Sequence, residues 1–420
     1  MFNRGLSLDQ APPIDVVLRF FLTIAIFGVF AGVAMLTTDE GSVGIWEAPQ
    51  TVAVVHLVLL GMVGMAMVGA LFQMLPVMAG APIRSPRYHA RWIHALMGLG
   101  TLILSGAFYI PLPAMLHPAM AMLVGSLGFV VFLIFTKLLE VENKTASVKG
   151  MMAAVGALGI GLLFAVFTSL AFLGVDFGFG IETLRSIHLH FMLFGWIFIL
   201  IASVAFQVVE MFYVTPPYPD TMRNLLPAGM LASLVLQIPV SVLWPKVAGL
   251  IDAVIAVLLL LFAIVSLMRF ARRKRPVADA TIKFWYTGLL SLVGVSVLFF
   301  IYKLTGLSSL FSMAALLFAA FVLSIIFAMT YKIIPFLVWF HLNSKGVMET
   351  PMMGDVVPMR RASIHLWIHW VFVAVALASV YWPFAWMVAG AILAIESLWY
   401  GYNLVVATRI YYNLKDKGMF

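Results

Sequence analysis

The chain has 420 residues, 64% of them hydrophobic and only 10% charged. So few polar groups cannot cover a water-facing surface, which excludes a soluble globular enzyme and makes lipid the solvent for most of the chain. The formal net charge of +8 lies mainly in the connections between apolar runs, where it reads as membrane insertion and contact with anionic lipid rather than nucleic-acid binding. The absence of cysteine closes disulfides, thiolate metal sites and covalent haem attachment.

Apolar runs of roughly 20 residues, the length that crosses about 30 Å of hydrocarbon, recur along the whole sequence. They predict an all-α integral membrane protein with twelve transmembrane helices, over residues 16–37, 51–80, 92–111, 115–137, 150–175, 186–213, 224–243, 248–268, 284–302, 308–340, 363–382 and 384–408. The first run is preceded by Asp9 and Asp15 and followed by no small-residue cleavage site, so it is expected to be a retained helix rather than a signal peptide. With the N-terminus inside, 21 of the 25 Lys and Arg fall on the inner side; Arg185, Lys246 and Lys303 fall outside, and Lys332 lies within a span, from which it is expected to snorkel. That asymmetry predicts cytoplasmic N and C termini in a bacterial inner membrane. The densest basic cluster, Arg269 to Arg275, is placed for anionic headgroups.

The second, sixth and tenth runs align without gaps. From His56 the chain reads HLVLLGMVGMAMVGALFQMLP, from His190 HFMLFGWIFILIASVAFQVVE, and from Ala315 ALLFAAFVLSIIFAMTYKIIP. His56 matches His190, Gly61 matches Gly195, Gln73 matches Gln207 and Lys332, and Pro76 matches Pro335. Arg91-Trp-Ile-His94 and Leu366-Trp-Ile-His369 add a second correspondence. The expectation is one transmembrane domain, 1–420, built from three pseudo-symmetric four-helix repeats at about 1–142, 143–277 and 278–420.

The predicted topology sorts the histidines into two layers. His56, His117, His188 and His190 fall near outer helix ends, and His94, His341, His365 and His369 toward inner ends. An ionisable group in the bilayer needs a partner, and common depth supplies one. A bis-imidazole haem needs two histidines from facing helices at equal depth, which His56 and His190 satisfy by their alignment. His188 is turned about 200° from His190 and so faces a neighbouring compartment. His365 and His369, spaced i and i+4, share a helix face and form a possible second metal site if His94 or His341 supplies a third ligand. Glu210, Asp252 and Glu396 are carboxylates within spans, and Glu396, the deepest, is the proton-relay candidate.

His188-Leu-His190-Phe-Met-Leu-Phe-Gly-Trp resembles the HxH helix of the haem-copper oxidase superfamily's subunit I, and His56-Leu-Val-Leu-Leu-Gly resembles its second-helix haem ligand. The NnrS-type haem and copper membrane proteins are similar in the same way. The resemblance implies non-covalent, b-type haem, with His56 and His190 as low-spin ligands and His188 as a high-spin ligand. It implies an oxidoreductase in electron transfer or nitric oxide or oxygen handling, fed by a quinol or a periplasmic cytochrome. Copper is the second metal of that family. Here, however, HxH lies on the sixth run, the tenth has Ala315 and Met313 where histidines belong, and the seventh, Leu225 to Leu243, has no His. The usual copper site is therefore expected to be missing. Two other readings remain open: a secondary transporter, and a non-enzymatic haem or copper sensor or assembly factor.

Overall fold

A computed structural model describes residues 10–274 and 277–417; Arg4, Asp9 and Arg275 lie outside the described residues. The chain forms twelve helices long and apolar enough to cross a membrane, and no strand occurs among the described residues. In chain order they are α1 (Ile14–Leu36), α2 (Pro49–Ala79), α3 (Pro86–Tyr109), α4 (Pro113–Leu139), α5 (Ala146–Phe172), α6 (Ile181–Tyr213), α7 (Asp220–Leu243), α8 (Pro245–Ala271), α9 (Ala280–Thr305), α10 (Ser308–Asn343), α11 (Met359–Ala378) and α12 (Phe384–Leu414). Each of the twelve expected spans is present, and the protein is a multi-pass membrane protein.

Local signals set the ends. Proline opens α2, α3, α4 and α8, where its missing N–H costs no intrahelical bond. The Thr145 and Asp279 side chains cap α5 and α9 by accepting from the Val148 and Ile282 N–H groups. Gly80 and Gly306 end α2 and α9 at positive φ, 64° and 72°, a conformation glycine adopts without Cβ strain.

Burial separates an inner set from an outer one. In their most apolar windows α2, α6 and α10 are 67%, 72% and 61% buried, more than any other helix. These are the three aligned segments. Near Gln73 and Gln207 they enclose a cavity of about 30 Å3. The outer helices expose apolar side chains such as Phe132, Leu163, Leu250 and Leu398, as lipid solvation requires. The outer set closes where α12 returns onto α1. At that crossing a Cβ on Gly32 would stand 2.5 Å from the Gly390 carbonyl oxygen, and a Cβ on Gly390 2.6 Å from the Gly32 oxygen. Only glycine permits so close a backbone approach.

Two inner helices are not α-helical throughout. Leu57–Gly64 in α2 and Phe191–Phe198 in α6 are π-helical, and each stretch begins immediately after an aligned histidine, His56 or His190. The third inner helix, with Ala315 in that place, runs as uninterrupted α-helix from Ser308 to Asn343. π segments inside α-helices concentrate at functional positions.

Candidate functional site

Three separate polar centres lie within the helices. The first contains His56 and His188. His56 donates Nδ1–H to the Val52 carbonyl oxygen at 2.8 Å and stacks on Phe108, with centroids 6.0 Å apart. Phe108 in turn meets Phe172 edge-on. His188 donates Nδ1–H across to the Gly161 carbonyl of α5 at 3.0 Å and lies within electrostatic range of His56. Neither Nε2 makes a hydrogen bond among the described residues, and both rings are half-buried. Anchoring one imidazole nitrogen on a backbone carbonyl fixes tautomer and ring plane and leaves the other nitrogen as a ligand.

His190 faces elsewhere, as the rotation between positions 188 and 190 requires. Its Nδ1 bonds the Ser186 carbonyl at 2.7 Å and its Nε2 bonds Asp252 Oδ1 at 2.9 Å. Asp252, 2% exposed, also binds Lys303 Nζ at 2.7 Å and accepts from Gln237 Nε2 at 3.4 Å. Both His190 nitrogens are thus engaged within the protein. His56 and His190 share the same local geometry, each bonding the carbonyl four residues earlier, yet the ring that approaches His56 is His188.

The third centre joins α10, α11 and α12. His365, His369 and Glu396 are each 0% exposed. Glu396 Oε1 accepts from His365 Nε2 at 3.1 Å and from His369 Nδ1 at 2.7 Å. Tyr331 OH bonds His365 Nδ1 at 2.7 Å, Asn403 Nδ2 donates to Tyr331 OH at 3.1 Å, and Ser324 Oγ bonds His369 Nε2 at 2.8 Å. Phe284 and Phe327 pack on both imidazoles. The residue that completes the His365–His369 pair is Glu396. His94 instead bonds Thr23 Oγ1 on α1 at 2.7 Å, and His341 packs on Phe340 and Tyr411. His117 is exposed on α4. Among the described residues no group of three His, Asp or Glu side chains is arranged to hold a metal ion.

Lys332 has a partner at the end of its neighbouring helix. Its Nζ meets Asp279 Oδ2 at 2.7 Å, at the head of α9. Burial pushes the Asp279 carboxyl upward, but the Lys332 ammonium, the Thr281 hydroxyl and the Ile282 N–H outweigh it and hold the group below its ordinary value. Sequence reasoning found the histidines and carboxylates of the three centres but not Tyr331, nor Lys303, which reads as an outer-loop cation. Its position at the end of a span, close in depth to the predicted intramembrane Asp252, was the available signal.

Comparison of the chain with protein-family models and with curated proteins finds no match.

Proposed function

We propose that the protein binds b-type haem in the membrane through His56 and His188 and serves in electron transfer or in handling nitric oxide or oxygen. The observation that carries this reading is the matched state of the two rings, which lie within electrostatic range of each other: each commits Nδ1 to a backbone carbonyl and leaves Nε2 without a hydrogen bond among the described residues. The donor set fits haem iron, for which neutral imidazole Nε2 is an ordinary axial ligand. Haem, when bound, supplies a reversible one-electron iron couple. Phe108 and Phe172 provide an apolar wall beside His56, and the Val52 and Gly161 carbonyls orient the imidazoles and raise their basicity. His190 is left out of the ligand pair because Asp252 occupies its Nε2. Electrons enter from a quinol or a periplasmic cytochrome.

The same reading places both termini in the cytoplasm of a bacterial inner membrane, with basic loops on anionic lipid. It takes the chain as three repeats. Two observations support this. The π segments of α2 and α6 start at aligned positions. The cavity between the inner helices is lined by aligned triplets: Met74, Val208 and Ile333; Val77, Met211 and Phe336; Met78, Phe212 and Leu337.

The test is the reduced-minus-oxidised absorption spectrum, with a pyridine haemochrome assay, of detergent-purified protein after haem-supplemented expression. Wild type and His190→Ala are expected to show low-spin bands that His56→Ala and His188→Ala lose. A colourless wild type refutes haem binding and brings the transporter reading forward. Bands that survive in His188→Ala and vanish in His190→Ala refute the ligand pair.

A further inference from the structure

The cluster around Glu396 carries a chemistry that does not depend on haem. Its hydrogen bonds fit an arrangement of protons in which both imidazoles are neutral. The Asn403 amide donates to Tyr331 OH, so the tyrosine spends its own hydrogen on His365 Nδ1. The proton of His365 then sits on Nε2 and points at Glu396 Oε1. With Ser324 donating to His369 Nε2, the His369 proton sits on Nδ1 and points at the same oxygen. Both imidazoles are neutral in this arrangement, and the carboxylate leaves the cluster with one negative charge.

Nothing adjacent balances that charge. The titratable groups around Glu396 are His365 and His369 from α11, Tyr331 from α10 and Tyr400 on its own helix. From α9 the neighbour is Phe284, and α1 presents Gly28 to Ser397, beside Glu396. The only ion-pair partners of Glu396 among the described residues are the two histidines. Glu396 Oε2 is buried with no hydrogen-bond partner. A buried carboxylate in this state is one proton short of neutrality, and uptake of a proton is the ordinary way such a group is accommodated.

We propose that His365, His369 and Glu396 form a binding site for a single proton, whose uptake takes the cluster from one negative charge to none. His369 is the residue that accepts it. Ser324 Oγ has no hydrogen bond other than that to His369, so its hydrogen is free to turn toward its own helix, as that of Thr330 does toward the Ile326 carbonyl. The Ser324 oxygen then accepts from the new His369 Nε2–H, and the imidazolium lies between Ser324 and the Glu396 carboxylate. His365 is less able to do this, because Tyr331 OH already accepts from Asn403.

The experiment is pH-difference infrared spectroscopy on the full-length protein in liposomes, with 13C-labelled Glu and ring-15N-labelled His, run on wild type, Glu396→Gln and Ser324→Ala. Metal content is measured on the same samples. Wild type is expected to show one proton-binding event with imidazolium signals, and Glu396→Gln to lose it. Ser324→Ala removes the hydroxyl that receives the His369 proton and should weaken proton binding by about three- to tenfold, the amount by which a hydrogen bond to a charged imidazolium exceeds one to the neutral ring. Should Glu396→Gln fail to fold, wild type and Ser324→Ala still decide. The proposal is overturned if labelled His and Glu signals of wild type do not change over the pH range in which the protein stays folded. It is equally overturned if Ser324→Ala leaves the midpoint unmoved, or if wild type carries a stoichiometric metal that Glu396→Gln loses.

Discussion

Alanine at position 32 would drive a methyl group into the backbone of another helix. The added Cβ would stand 2.5 Å from the Gly390 oxygen and 2.7 Å from the Ala394 nitrogen, against about 3.5 Å for a relaxed contact. Both obstacles are main-chain atoms, so no rotamer change relieves the clash, and α1 and α12 must separate by roughly an ångström at the crossing. A gap of that size forfeits a quarter to a half of the dispersion energy of the atoms lining it, and overpacking against main-chain atoms that cannot turn aside lies in the upper part of the usual range, about 2–3 kcal/mol. Alanine returns about 1 kcal/mol through helix propensity. Gly32→Ala should therefore lose about 1–2 kcal/mol, whereas Gly156→Ala on α5, where an added Cβ meets nothing within 4 Å, should gain about 0.5–1 kcal/mol. The midpoint of SDS-induced unfolding in mixed micelles reads both. The reasoning fails if Gly32→Ala is as stable as wild type, or if the two variants shift in the same direction by the same amount.

The Asp252 centre predicts a reversal between single and double variants. Asp252→Ala strands the Lys303 ammonium at a cost of about 3 kcal/mol, the low end for a broken buried pair because the Lys303 side chain is 31% exposed; adding Lys303→Met should recover most of it in the same assay. The Asp279–Lys332 pair predicts an acid dependence. The folded-state carboxyl is held below its unfolded value, so its stabilisation is complete above the unfolded pKa of about 3.9 and is lost as pH falls through the lower folded value. The melting temperatures of wild type and Asp279→Asn should thus differ by a constant amount near neutrality and converge below about pH 4; a difference that stays constant into acid argues against the pair. In the haem reading, Phe108→Ala should leave haem bound but open the site to water, broadening the low-spin bands and raising the rate of ligand exchange measured by stopped flow.

The spans were legible because lipid imposes a length and a composition on every crossing segment, and neither needs a partner to be recognised. The inward position of α2, α6 and α10 was foreshadowed by their alignment around His56, His190 and Ala315. The rotation that sends His188 and His190 to different neighbours follows from helical pitch alone. Which neighbours they meet does not: Gly161 and Asp252 lie on α5 and α8, and nothing in the linear sequence sets the azimuth of one helix against another. The same limit hid Glu396 as the partner of His365 and His369, with His94 and His341 matching them only in depth. The π segments escaped for another reason. Leu57–Gly64 and Phe191–Phe198 contain no residue that signals a change of helical pitch, which is set by how the surrounding helices pack.

A membrane that stores energy as a voltage tolerates no conducting file through the proteins embedded in it. Each elementary charge that leaks across 100 mV dissipates about 2.3 kcal/mol. Where the inner helices meet, the about 30 Å3 left between them holds one or two waters, walled by Met74, Met78, Phe212, Phe336 and Leu337. A charge passing that level would shed nearly all its hydration. The junction of α2, α6 and α10 is in effect an electrical plug. No residue of the polar centres at His56, Asp252 and Glu396 lines it.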